Sequence, residues 1–485
     1  MVPVSEARIA IEEYRELRDA LETFVLPLAT SVDGRRFEFQ ASLHGLELEA
    51  GGYVALDAGG DILLGQVASL RMEQHEAGAL DRPGTVLMRV ARGAGRLLEG
   101  DAHPFHDARV RPATADEVRA WIEREQSERA RLDVGELALA PGVPFALDAG
   151  GFGRHTFLCG QSGSGKTYSL GVLVERLLME TRLRVVVLDP NSDYVRLGEP
   201  RPNADADTAK RYGERAGRIV VRSRGQGDSR LGVRFRELSA THQAALLRLD
   251  PVADRDEYAE LASIAEEATP ETLEELGRGG EEARRLLRRA RNLGVDRLDV
   301  WSRHDDVSLL DDVMDGDTRC LVVDLGSLGT RVEQSLVAGT VLERLWSTRG
   351  DRRPIAIVID EANNICPARP EDPLTALATE DAIRIAGEGR KFGLYLIVVT
   401  QRPQKVHENV LSQCDNLVLM RMNSTADLGH VAEVFSFVPP GLIDRATTFR
   451  QGEALVAGKI ASHPALMRFG ARITNEGGAD VAGWA

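Results

Sequence analysis

At 485 residues and 43% hydrophobic, the chain is long enough for two or three domains with cores of their own. No apolar run approaches the ~20 residues that cross a bilayer, and the start "MVPVSEARIAIEEYRELRDA" is charged from its first helical turns, unlike a signal peptide; the expectation is a cytoplasmic protein with no membrane contact. A net charge of −15 excludes a surface that is basic overall, but not a few basic loops lining a channel inside an acidic ring.

In chain order, residues 5–24 carry a helical pattern of charge and apolar spacing. The segments "RRFEFQASL", "GGYVALDAG", "DILLGQVASLRM" and "GTVLMRVARGAG" follow, and read as strands of about 4–8 residues with turns between them, the signature of a small barrel or sandwich. "ATADEVRAWIEREQSERARLD" reads as a charged helix linking this domain to the next.

From about residue 134, strands alternate with helices, which predicts an α/β fold with a parallel sheet. "RHTFLCG" reads as a short buried strand leading into "GQSGSGKTYSLGVLVERLL", where Gly160, Gly165, Lys166 and Thr167 fit G-x-x-x-x-G-K-[ST]. A loop of this kind curls its amides inward around a polyphosphate, and a helix starting at about Lys166 aims its positive end at the same charge. In that chemistry Lys166 reaches the β- and γ-phosphates of ATP and the Thr167 hydroxyl reaches Mg²⁺.

"RLRVVVLDP", "TRCLVVDLGSL", "RPIAIVIDEAN", "GLYLIVVTQRP" and "NLVLMRM" are near-continuous apolar runs, as strands covered on both faces should be. Between the first two lie about 130 residues containing helical patterns, read as an insertion. Asp360 and Glu361 end the third run, where one carboxylate can serve the metal and the other can polarise a water. Asp189, with Asp193 after it, either faces the metal or its water or caps the next helix. Gln401 ends the fourth run, where an amide can hold the attacking water. Arg390, in "GRK", either reaches a neighbouring subunit's γ-phosphate or is a surface charge; Arg421 and Arg402 are the next candidates.

The four cysteines, Cys159, Cys320, Cys366 and Cys414, have no paired spacing and read as buried thiols. "RRLLRRAR" reads as a solvated or interface face, whereas Lys210 and Arg211, on an expected loop, are better candidates for contact with DNA phosphates.

Taken together, "HTFLCGQSGSGKT", "LDPNSDY", "IVIDEANNICP", "EGRKFGLYLIVVTQRPQKVHENVLSQCDNLVLMRM" and the late "GEALVAG" resemble the HerA branch of the HerA/FtsK translocases. The resemblance covers about residues 134–470, and its glutamine-arginine-proline after the fourth strand separates this branch from general ATPases. It implies a RecA-like P-loop ATPase core over 134–470 with a helical insertion at about 200–305. Around that core it implies an N-terminal β-barrel domain with a leading helix (1–115), a helical linker (116–133) and a flexible tail (471–485).

By the same resemblance the chain would form a homo-hexamer that hydrolyses ATP with Mg²⁺ and threads double-stranded DNA through a central channel. Gly160, Gln161, Ser162, Gly163, Ser164, Gly165, Lys166, Thr167 and Tyr168 would hold the nucleotide, and Thr167 and Asp360 the metal. Glu361 would be the catalytic base, Gln401 the polar sensor and Arg390 the arginine acting in trans. The pattern departs at Asn363, where histidine is common in the family.

Family members commonly work with a nuclease in end resection or in antiphage defence. No nuclease constellation is found in this chain, so a partner nuclease or defence effector docked on the N-terminal β domain would do any cutting. Two other classes stand beside the motor. One is a nucleotide-loaded hexameric scaffold that regulates a partner enzyme with little translocation, and the other is a conjugative or pilus ATPase, for which a membrane anchor would be expected.

Overall fold

The computed structural model describes residues 27–478 except 44–45, 79–84, 100–101, 126–129, 228, 268–278 and 303–305. The helix read over 5–24 and residues 479–485 lie outside the described residues.

Six strands close an N-terminal barrel: β1 (Leu28–Ser31), β2 (Arg36–Ser42), β3 (Tyr53–Ala58), β4 (Asp61–Gly78), β5 (Thr85–Leu97) and β6 (Phe105–Pro112), in the order β1-β2-β5-β4-β3-β6. Alternation drives it: along β2, Phe37, Phe39 and Ala41 point inward while Arg36, Glu38 and Gln40 face solvent. Gly93 and Gly95 of β5 make room for those rings, since a Cβ at either would come within 2.2 Å of Phe39 or Phe37. Closure leaves no free edge. Two strands exceed the expected 4–8 residues, because β4 and β5 form one long hairpin paired out to Gly78 and Thr85.

The helix Ala115–Arg124 follows, its start fixed by a reciprocal cap between Thr114 and Glu117 and its buried face carried by Val118 and Trp121. Residues 131–133, read as the end of a helical linker, instead begin β7 (Arg131–Leu137), which pairs with a strand of the central sheet.

That sheet has eleven strands. The others are β8 (Pro144–Asp148), β9 (His155–Cys159), β10 (Arg184–Asp189), β11 (Arg218–Arg222), β12 (Thr318–Asp324), β13 (Ile355–Ile359), β14 (Leu394–Thr400), β15 (Cys414–Met420), β16 (Glu453–Ala457) and β17 (Ala465–Phe469). Their order is β11-β12-β10-β13-β14-β9-β15-β16-β17-β7-β8, parallel from β11 to β15 and antiparallel thereafter. Alternate residues of each central strand enter separate cores on the two faces, Val186 and Leu188 on one and Val185 and Val187 on the other.

The inserted region is not all helical. It holds the helices Ala206–Arg215, Ala240–Leu246, Arg255–Glu267 and Glu281–Asn292, but "RIVVR" forms β11 and extends the sheet at its margin. Lys210 and Arg211, expected on a loop, stand on the helix that Asp205 caps and Tyr212 anchors; Lys210 is exposed and Arg211 pairs with Glu180 at 2.8 Å. In "RRLLRRAR", Leu286 is buried and Arg289 pairs with Asp254 and Glu257, so one side of that helix is an internal interface.

Barrel and core meet at His463, whose Nε2 lies 2.7 Å from the Tyr53 hydroxyl and whose ring packs edge-on against Trp121. Residues 471–478 are not a free tail. Arg472, Ile473 and Thr474 are buried, and Glu175 accepts from the N–H groups of Ile473 and Thr474 and from the Thr474 hydroxyl at 2.6–2.8 Å. All four cysteines are buried and free.

Candidate active site

β9 ends at Cys159 and the chain turns through residues 160–165 into the helix Lys166–Glu180. Gly163 and Gly165 have φ of +72° and +94°, which side chains with a Cβ adopt only at a cost. Within the described residues, the N–H groups of Gly163, Gly165, Lys166 and Thr167 donate to no protein acceptor. Four free amides at a helix N-terminus suit an anion.

The other walls come from the carboxyl ends of neighbouring strands. Asp360 and Glu361 follow β13, and the Lys166 ammonium lies 3.4 Å from Asp360 Oδ1 and 3.1 Å from Glu361 Oε1. Gln401, after β14, donates from Nε2 to the same Glu361 oxygen at 2.8 Å. Lys166, Asp360, Glu361 and Gln401, four positions spread over more than 230 residues, therefore share one centre. Burial alone would lower the Lys166 pKa, but the charges of Asp360 and Glu361 outweigh it and hold the ammonium protonated. Burial also raises Asp360 despite that lysine.

Glu361 has φ +42° and ψ +51°, left-handed backbone that costs a non-glycine residue about 1–3 kcal/mol. Strain of this kind persists only where the surroundings over-determine it, and it gathers at reaction centres.

Beside this group, Asp189, Asp193 and Asp360 each bring one carboxylate oxygen to within 4.8 Å of the others. The Thr167 hydroxyl donates to Asp193 Oδ2 at 3.3 Å. Burial pushes Asp189 up to about 7 and Asp193 to about 6, and the charge of Asp360 adds to both. Asp360 Oδ2 is buried without a partner. Hard oxygen donors, raised carboxylates and an orphaned oxygen fit a divalent cation such as Mg²⁺. Asp189 does not cap the next helix, Ala206–Arg215, which Asp205 caps; it accepts from the N–H groups of Asp193 and Tyr194 and shapes their turn.

The loop, Glu361 and Gln401 open on a cavity of about 1030 Å³, lined by Gln161–Gly163, Gly165–Tyr168, Asn191, Glu361 and Gln401. Sequence reasoning missed its far wall, made by Arg468–Ala471, Gln451, Glu476 and the β7–β8 hairpin. The Tyr168 hydroxyl accepts from the Arg472 N–H at 2.8 Å, and Arg201 lies over the Tyr168 ring while pairing with Glu476. No local pattern marks these residues.

The arginines separate. Arg421 donates to the Gly163 carbonyl at 3.0 Å and so braces its own loop. Arg402 is exposed. Arg390 stands before β14 begins, at the end of the sheet away from the loop, and shares Asp415 with Arg154 at 3.0 and 3.3 Å. It takes no part in the site of its own chain.

The family model "DUF87: Helicase HerA, central domain" matches residues 132–297. The chain is 24% identical to a DNA double-strand break repair helicase HerA of Sulfurisphaera tokodaii, over 77% of this chain and 75% of that one. It is 23% identical to the protein of the same description from Sulfolobus acidocaldarius, over 87% and 88%. These likenesses agree with the resemblance to HerA carried by the motifs of the core. Among solved structures, VirB4 of Thermoanaerobacter pseudethanolicus matches with a TM-score of 0.50 at 18% identity, covering 71% of this chain and 97% of that one, a likeness of fold. With the loop and the paired acids on one sheet and this likeness to HerA helicases, the chain is an ATP-hydrolysing P-loop enzyme. Among the described residues no helix is long and apolar enough to cross a membrane.

Proposed function

We propose that this protein is a cytoplasmic, hexameric, ATP-driven motor that translocates double-stranded DNA and serves a partner nuclease or defence effector. The observation that carries the reading is the convergence of Lys166, Asp360, Glu361 and Gln401 on one centre, with Lys166, Glu361 and Gln401 lining the cavity, in a chain whose relatives are described as DNA double-strand break repair helicases.

Residues 160–168 hold the triphosphate of ATP through the loop amides, and Lys166 offsets its charge. Thr167 and Asp360, with Asp189 and Asp193 beside them, would hold Mg²⁺, which when bound would neutralise phosphate charge. Glu361 accepts the proton of the attacking water, and Gln401, already bonded to Glu361, orients that water. Arg390 faces away from its own site, which suits a role at the neighbouring subunit's phosphates. The N-terminal barrel is the docking surface for the partner.

The test is ATP turnover by the full chain with and without long duplex DNA at low salt. A motor is expected to turn over at least about tenfold faster with DNA, and to lose the stimulation as salt rises, because phosphate contacts release counterions. Turnover indifferent to duplex DNA would overturn the motor and leave a nucleotide-loaded scaffold that regulates its partner.

A further inference from the structure

Thr400 ends β14, is fully buried and meets three segments of the chain. Its carbonyl accepts from the Gly160 N–H at 3.4 Å, where the phosphate loop begins. Its hydroxyl donates to Asn363 Oδ1 at 2.7 Å and accepts from the Arg402 N–H at 2.9 Å. With one proton and two lone pairs, the hydroxyl is suited to this double duty.

Asn363 lies in the short helix Ala362–Ile365 that directly follows Glu361, and its Nδ2 donates to Asn364 Oδ1, which also accepts from Arg331. Further along, the Ala368 N–H donates to the Lys405 carbonyl at 2.8 Å and the His407 N–H to the Cys366 carbonyl at 3.0 Å. The segments after Glu361 and after Gln401 thus run side by side, and the Thr400–Asn363 bond closes the pairing nearest the reaction centre. The bond between Gln401 and Glu361 completes a ring: side chain to side chain on the cavity, hydroxyl to amide behind it. Neither Thr400 nor Asn363 lines the cavity.

We infer that Thr400 and Asn363 are positioning residues for hydrolysis, holding the strained Glu361 turn in register with Gln401 and tying both to the start of the phosphate loop. The inference rests on the reading of Glu361 and Gln401 as the hydrolytic pair. A shift of about 1 Å at such a pair is enough to cost about a hundredfold in rate, while binding of ATP, held by other residues, is untouched.

The experiment compares Thr400→Val, Thr400→Ser, Asn363→Ala and the double variant Thr400→Val/Asn363→Ala, each also placed on Glu361→Gln, in the full chain. Thr400→Val keeps the shape and removes the hydroxyl; it is expected to lower kcat about tenfold or more, with the Kd for ATP within twofold of wild type. Thr400→Ser restores the hydroxyl and most of the rate. Asn363→Ala falls as far as Thr400→Val, the double variant falls no further, and none of them slows Glu361→Gln further, because the linked groups act as one unit. Wild-type turnover in Thr400→Val, or equal loss in Thr400→Ser and Thr400→Val, overturns the inference. So does weakened ATP binding with a lowered Tm, which would mark a purely structural role. Wild-type turnover in Glu361→Gln, by contrast, would remove the reading of the catalytic pair beneath it.

Discussion

Two buried charged groups at opposite ends of the central sheet are treated in opposite ways. At the amino end, Arg184 opens β10 and its guanidinium donates to the carbonyls of Thr318 at 2.9 Å, of Val313 at 2.5 Å and of Asp312. Burial lowers its pKa, but it has hydrogen-bond partners for all three nitrogens. At the carboxyl end, Asp360 and Glu361 pair with Lys166 and Asp189 and Asp193 cluster beside Asp360, one carboxylate oxygen has no partner and the glutamate backbone is strained. Saturated polar burial serves stability; unsaturated, strained burial serves a ligand that completes it.

This contrast can be broken in three ways, the largest first. At the carboxyl end, Lys166→Ala is expected to weaken ATP binding by about a hundredfold or more, since in the proposed function the lysine offsets the phosphate charge. Glu361→Gln is expected to keep ATP binding within a few-fold and to lower turnover about a hundredfold or more. Fluorescent nucleotide titration and phosphate release read the two effects, and equal ATP affinity in Lys166→Ala and wild type would remove the loop assignment.

At the amino end the sign of the outcome reverses. Arg184→Met removes the guanidinium's three buried hydrogen bonds, the Asp312 carbonyl keeping only the Asp315 N–H, and is expected to cost about 2–4 kcal/mol of stability. ATP affinity of the folded protein should stay within twofold. A urea midpoint unchanged by the substitution would show that this end is not held as described.

The third and smallest effect is acid sensitivity. His155, which opens β9, accepts from the Leu396 N–H at Nδ1; burial, helped by the charge of Arg390, lowers its pKa to about 4, and burial does the same to His463 at the barrel junction. An unfolded histidine takes its proton near 6.5, so between about 6.5 and 4 the unfolded chain binds more protons and stability falls as pH falls. Each contributes about 1–3 kcal/mol over that window. The raised aspartates at the other end act with the opposite sign, because the folded state then takes the proton first. His155→Asn keeps an acceptor for Leu396 and should lose less stability than wild type between pH 7 and pH 4.5. Identical losses in urea titrations would show that His155 is not held neutral.

What the sequence determined by itself is whatever the backbone writes locally. The glycines and lysine of residues 160–167 spell a loop whose conformation depends on the absence of Cβ atoms at set positions, and the apolar runs ending at Asp189, Asp360 and Thr400 are long enough to declare buried parallel strands. Other features became visible only in three dimensions. "RIVVR" is too short and too exposed to announce β11, which exists because β12 offers it an edge. Residues 471–474, short and close to glycines, read as a tail, yet Glu175, almost 300 positions away, captures the amides of Ile473 and Thr474. Thr400 looked like the last residue of a strand, and only the folded chain set its hydroxyl against Asn363. Single hydrogen bonds between distant segments leave no periodicity in the chain, so they belong to the tertiary structure alone.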